Sequence, residues 1–283
     1  MRVFIAGAGG MVGRAVTEHC LAQGDEVSAH TRQSLDITKH QDVSAIFKRE
    51  RPDAVINCAA WTDVDGCEND PRRAFIVNSH AVENLAASSR RVGASFITIS
   101  TDYIFDGNKD GFYTQRDDPN PASVYGAAKL EGERRAQAAS ARTVVVRSGW
   151  IFGNGGRNFL STIVERARRG EHLKVISDAY GTPTYANDLA ARLRKLAEVD
   201  IPGVYHVVNS GEGASYLKFT CAALEAAGCE DIRVEPVLME TLERPAPRPR
   251  NSRMRCLLSE AIGLPALPDW ESALRVFVAQ NRQ

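Results

Sequence analysis

Seven residues near the start of the chain, Gly7-Ala8-Gly9-Gly10-Met11-Val12-Gly13, restrict its fold more than any other stretch. They join a short apolar run at 2–6 to a segment at 11–23 whose apolar residues recur with helical period and stop at Gly24. A strand that turns through glycines straight into a helix opens a βαβ unit. Gly7 permits the tight turn, Gly10 lets backbone approach a pyrophosphate, and Gly13 allows the helix to pack closely on the sheet. Amides at the helix start, where Met11 and Val12 stand, then meet the phosphates. A plain βα turn is the alternative for such a string taken alone.

The alternation continues through the first half. Strands are expected at 26–30, 53–57, 95–100 and 143–147, and helices at 38–49, 72–92 and 124–139. Short apolar strands separated by helices predict an α/β fold: a Rossmann-type, doubly wound parallel sheet with helices on both faces. The second half is less regular. Helices are expected at 159–169, 187–198, 216–227 and 270–281, the last capped by Asp269, and a strand at 203–208. The Pro/Arg-rich stretch 243–250 cannot be a continuous helix and by composition reads as linker. The expected organisation is a dinucleotide-binding domain over 1–150 and a smaller, mainly substrate-binding α/β domain over 151–283. Residues 203–208 are free in that scheme to return to the main sheet.

Composition removes other classes. Lys plus Arg equals Asp plus Glu, at 35 each, so no overall charge recruits nucleic acid or an anionic membrane. The six cysteines, at 20, 58, 67, 221, 229 and 256, form no CxxC pair, which argues against a zinc or thioredoxin-type site. Cys20 and Cys221 fall in apolar helical patterns and read as reduced, packed thiols of a cytoplasmic protein. The run 3–6 is too short for a signal peptide's apolar core, and no run is long enough to span a bilayer.

Chemistry concentrates at strand ends. Tyr125 and Lys129 are four residues apart on a helix and share a face. A free phenol keeps its proton to a pH of about 10, and a nearby ammonium is expected to lower that value, giving an acid usable in carbonyl reduction. Thr101, in the run Ser100-Thr101-Asp102-Tyr103 closing the fourth strand, is placed to hydrogen-bond a substrate carbonyl beside Tyr125. The second strand ends His30-Thr31-Arg32 without the acid that favours NAD. Arg32 can instead fork onto a 2′-phosphate, so NADPH is the expected cofactor, with NADH still usable. An exposed surface arginine is the alternative. Asp36 and Ile37 follow and are candidates to lie beside the adenine. Ala59 and Ala60 leave the third strand as small residues that let backbone pass close to a cofactor, and Thr62 offers a hydroxyl.

Taken together, these residues resemble the extended short-chain dehydrogenase/reductase superfamily and, within it, the family of dTDP-4-dehydrorhamnose reductases. The resemblance spans nearly the whole chain. It rests on GAGGMVGR at 7–14, NCAAWTDVDGCE at 57–68, STDYIFDG at 100–107, VYGAAKLEGE at 124–133, RSGWIFG at 147–153, DAYGTPTY at 178–185 and RPRNSRM at 248–254. It implies reduction of a nucleotide-activated 4-ketosugar, dTDP-4-dehydro-L-rhamnose. Tyr125 would donate the proton, Lys129 bind the nicotinamide ribose, and Thr101 hold the carbonyl. Val64, Asp102, Tyr103 and Trp150 match positions lining the sugar and its nucleotide. The resemblance also implies that the Pro/Arg stretch is ordered. Gly149 stands where the family commonly has Ser, and Trp61 replaces a smaller aromatic residue. Some members bind magnesium at a dimer interface through an acid on the first helix. That helix begins Gly13-Arg14-Ala15-Val16 here, which argues against a magnesium requirement and against that particular dimer, while leaving a homodimer open.

Three rivals stand beside this reading. A dehydratase or epimerase of the superfamily would place Glu where Tyr103 stands. A reductase of another 4-ketosugar nucleotide would look much the same. A non-catalytic NADP-binding regulatory protein, like the methionine adenosyltransferase beta subunit, would share fold and motifs.

Overall fold

A computed structural model describes residues 1–156, 158–229 and 231–281. The β-branched and aromatic runs of the first half form β1 (Arg2–Ala6), β2 (Glu26–His30), β3 (Ala54–Asn57), β4 (Ser95–Thr101) and β5 (Thr143–Ser148). With the strand Gly203–His206 they make a six-stranded, wholly parallel sheet in the order Gly203–His206, β5, β4, β3, β1, β2. Side chains alternate between faces with period two. Val3, Ile5, Ile56, Ile97, Val144 and Val146 pack on one face under helix α1 (Met11–Ala22) and the helix Ala186–Val199. Phe4, Val55 and Phe96 pack on the other under α2 (His40–Glu50) and the helix Ala81–Val92. Burial on both faces is why the strands read as continuous apolar runs. The chain runs from β1 to β2 on one side and returns to β3 on the other, so strand order reverses beside β1. In such sheets the crevice beyond the strands' carboxyl ends at that point receives ligands.

A second core of aromatic residues, including Phe152, Tyr185, Phe219 and Trp270, lies within the C-terminal half. The Pro/Arg stretch is no free linker. Arg248 pairs with Asp65 at 2.8 Å, the Ala246 amide donates to the same carboxylate at 3.0 Å, and Asn251 Nδ2 donates to the Lys109 and Gly111 carbonyls.

Two expectations need correction. The helix expected at 72–92 is continuous over 71–92 but changes hydrogen-bond register within it. Helices Val64–Asn69 and Pro71–Phe75 precede a π-helical turn, Ile76–His80, which leads into Ala81–Val92. The π turn aims Asn78 at the loop after β3, where its side chain accepts from the Trp61 amide and donates to the Trp61 carbonyl, both at 2.9 Å. Single π turns inside α-helices are frequent at functional sites. Cys221 is exposed rather than packed, because the helix Tyr216–Ala226 buries Phe219, Thr220, Ala223 and Leu224 and turns Cys221 outward.

Candidate active site

The carboxyl ends of β3, β4 and β5 and the start of α1 open on one cleft of about 490 Å³. Its glycine-rich end is shaped by absent side chains. Gly7 has φ +78°, and a Cβ there would lie 2.6 Å from the Ala59 amide nitrogen; a Cβ at Gly13 would collide with the Gly7 carbonyl. Helix α1, with Gly10 at its cap position, has no side-chain cap and no acid in its first turn. Its leading N–H groups therefore keep their positive end for an anion.

The reacting end is set by the helix Val124–Ala139. Ser123 caps it by accepting from the Gly126 amide at 3.2 Å. A side chain at Gly126 would collide with the Tyr103 carbonyl, so glycine brings this helix against the end of β4. Tyr125 and Lys129 both face the cleft, with Thr101 across from them. The Tyr103 ring meets Tyr125 edge-on, with centroids 5.9 Å apart. Lys129 Nζ donates to the Ile99 carbonyl at 2.7 Å.

Electrostatics differ from the sequence expectation. Burial raises the Tyr125 phenol above its ordinary value, and the Thr101 hydroxyl pulls it the other way. Removing the phenol from water is the largest influence, and the nearby charge of Asp102 pushes the same way. Burial also lowers Lys129 from 10.5 to about 8, with Glu133 opposing. Glu133 is itself tied to Arg147 in a buried ion pair at 2.8 Å. Asp102 is buried and pushed up to about 6, against hydrogen bonds from Ser252 Oγ (2.5 Å) and Thr101 Oγ1 (3.0 Å). Gly149 makes room for that carboxylate: a Cβ there would lie 2.5 to 2.8 Å from its three terminal atoms. Trp150 has φ +48° and stacks on Tyr216 at 3.8 Å, and a side chain at Gly181 would collide with its indole.

The family model described as the RmlD substrate binding domain matches residues 1–283. The chain belongs to that family. It is 38% identical over 281 residues to the dTDP-4-dehydrorhamnose reductase of Mycolicibacterium smegmatis, covering 98% of this chain and 85% of that protein. Its fold is similar to the crystal structure of a dTDP-4-dehydrorhamnose reductase from Clostridium acetobutylicum, with TM-score 0.96, 34% identity and 100% of both chains covered. The same enzyme from Bacillus anthracis, solved in complex with NADP, aligns with TM-score 0.95, 32% identity and 99% of each chain covered.

In this member of the RmlD family the cleft gathers Gly10, Met11, Val12, Gly13, Ala59, Ala60, Thr62, Val64, Thr101, Asp102, Tyr103, Tyr125, Lys129 and Trp150. Gly7 supports it from behind. Arg32 and Asp36 lie instead in a separate depression of about 450 Å³ at the end of β2, with Lys39 and Arg49. Asp36 accepts from the Thr38 amide and hydroxyl, and Ile37 is packed in the core with Phe4 and Phe47. Sequence reasoning passed over Cys58, Ser100, Ser148, Asn158 and Phe159, which also line the cleft, and Ser252, which reaches Asp102 from 150 residues away. Ser100 and Ser148 were legible as strand-end residues, whereas no local pattern announces Ser252. Among the described residues no cluster of three or more His, Cys, Asp or Glu side chains could hold a metal ion, and no helix is long and apolar enough to cross a membrane.

Proposed function

We propose that this chain uses NADPH to reduce the 4-keto group of dTDP-4-dehydro-L-rhamnose to dTDP-L-rhamnose, a precursor of cell-surface polysaccharide. The observation that carries the reading is one cleft holding Thr101, Tyr125 and Lys129 at one end and an uncapped, glycine-lined helix start at the other. The cradle fits a dinucleotide. Gly7 and Gly13 are spaces a Cβ would fill, and the α1 amides lack a protein cap. Gly10, Met11, Val12 and Gly13 would hold its pyrophosphate, Ala59, Ala60 and Thr62 its flank, and Lys129 its nicotinamide ribose. When bound, the nicotinamide supplies a hydride to C4.

The chain's own residues do the rest. Tyr125 directs its hydroxyl at the C4 oxygen, and Thr101, turning its hydroxyl from Asp102 when substrate binds, adds a second; both stabilise charge as it develops there. Burial keeps the proton on Tyr125 until that oxygen takes it. The Lys129 ammonium, anchored on the Ile99 carbonyl, then offsets the charge left on the phenolate. Val64, Asp102, Tyr103 and Trp150, which line the cleft, would face the sugar and its nucleotide. The division at about residue 150, with the later half mainly binding substrate, belongs to the same reading. So do a cytoplasmic location, action without magnesium, and a homodimer as an open option.

The test is NADPH consumption with dTDP-4-dehydro-L-rhamnose, other 4-ketosugar nucleotides and a cofactor-only blank. Preference for a different ketosugar replaces the substrate but keeps the chemistry. NADPH binding without turnover on any of them replaces the enzyme with a binding module. Cofactor choice has its own check. Arg32, Lys39 and Arg49 gather positive charge at the end of β2, where a 2′-phosphate would lie. Arg32→Ala is expected to cut the preference for NADPH over NADH in kcat/KM by about tenfold or more, the worth of a charge-assisted hydrogen bond. An unchanged ratio removes Arg32 from cofactor selection.

A further inference from the structure

Two hydroxyls in the cleft have no partner within the protein. Ser100 and Ser148 are 5% and 2% exposed, both line the cleft, and neither Oγ has a hydrogen-bond partner among the described residues. They stand on neighbouring strand ends: Ser100 precedes Thr101, and Thr101 lies in register with Ser148 across β4 and β5. Leaving a buried hydroxyl unsatisfied is costly, and native structures seldom do it without reason.

Local escape routes are unused. Serine often bonds back to its own chain, as Ser89 does to the Leu85 carbonyl at 2.8 Å. The neighbouring donors bond other groups: one Lys129 proton goes to the Ile99 carbonyl, Thr101 to Asp102, and Arg147 to Glu133. Ser79, Ser88 and Thr220 also carry unpartnered hydroxyls, but they lie within helical elements and outside the cleft lining. Ser100 and Ser148, by contrast, are lining residues of a ligand cleft, beside Thr101.

We propose that the Ser100 and Ser148 hydroxyls are ligand-binding groups, satisfied when a ligand brings a carbonyl, amide or hydroxyl group to the end of the cleft that holds Thr101 and Tyr125. The proposal rests on the reductase reading and deepens it. Two molecules carry that chemistry to that end: a nicotinamide through its carboxamide, and a sugar through its hydroxyls.

Ser100→Ala and Ser148→Ala in the full chain test it through three measurements: the thermal midpoint without ligand, the Kd for NADPH by fluorescence titration, and the KM for dTDP-4-dehydro-L-rhamnose at saturating NADPH. The ligand-free midpoint should hold or rise, because the lost oxygen bonded nothing. The Kd or the KM should rise about fivefold or more, the worth of one hydrogen bond. A raised Kd assigns the hydroxyl to the nicotinamide; a raised KM with unchanged Kd assigns it to the sugar. Values within about twofold of wild type in both variants overturn the proposal. So does a lowered midpoint or a variant that fails to fold, since either means the hydroxyl already bonds within the protein. The Kd needs no turnover, so an inactive wild type would sink the reductase reading while this test still reports.

Discussion

Burial raises the Tyr125 phenol, and in the proposed reaction this changes what the neighbouring lysine would do. A phenol raised by desolvation is a poor base but a secure acid, suited to wait for an alkoxide to form. Tyr125→Phe should bind NADPH with near wild-type Kd and lose turnover by about 10²- to 10⁴-fold, the usual worth of a positioned acid. A Phe variant with wild-type kcat would remove Tyr125 from the chemistry. Lys129 is the residue whose state should be visible in stability. Burial brings it from 10.5 to about 8, so the fold holds that proton less tightly than the unfolded chain does. Between those pH values the unfolded chain carries more protons, and stability rises with pH. The penalty is full below about 8 and gone above 10.5. Wild-type stability minus that of Lys129→Met should therefore rise by about 3 kcal/mol between pH 7 and 10.5 in urea unfolding. A flat difference would mean that Lys129 is not desolvated.

The element that positions both residues is the helix Val124–Ala139, and glycine decides where it lies. A side chain at Gly126 would collide with the Tyr103 carbonyl, and one at Gly132 with the Asn78 carbonyl in the π turn. Both obstacles are backbone, which cannot rotate away as a side chain can. Gly132→Ala gains helix propensity of about 1 kcal/mol, but overpacking against backbone costs about 1–3 kcal/mol or more. Net destabilisation is expected in urea unfolding, with weaker NADPH binding, because Asn78 holds the Trp61 backbone beside the cleft. A more stable Ala variant would show that the helix and π turn have slack between them. The π turn itself was hidden in the sequence, where 72–92 has continuous helical character. It accompanies a polar contact of Asn78 with a loop 17 residues earlier.

Across the whole molecule, chain from beyond residue 150 completes the main sheet and covers it. The strand Gly203–His206 pairs with β5, and Leu189, Leu193 and Leu196 of the helix Ala186–Val199 cover one face of the sheet beside α1. A fragment ending at residue 150 would expose that apolar face and leave β5 as an open edge. It should aggregate or remain partly unfolded by circular dichroism and size-exclusion chromatography. A monomeric, cooperatively folded fragment would contradict this. The C-terminal strap closes the arrangement, with Arg248 on Asp65 and Ser252 on Asp102. Asp65 and the cleft residue Asp102 are thus held by chain that arrives last.

What the sequence by itself determined was everything that depends on period and local turn chemistry. Alternating apolar runs placed β1 to β5, and the glycines after β1 announced the cradle that Gly7 and Gly13 form. The Tyr125–Lys129 spacing put both side chains on one helical face, and they do meet Thr101 in a single cleft. Only the tertiary structure decided the balance between burial and charge at Tyr125, the π turn at Ile76–His80, and the reach of Ser252 to Asp102. It also left Ser100 and Ser148 with unpartnered hydroxyls. The physical reason is one of range. Periodicity records which face a side chain takes, whereas desolvation and hydrogen-bond satisfaction depend on atoms that the chain supplies from far away.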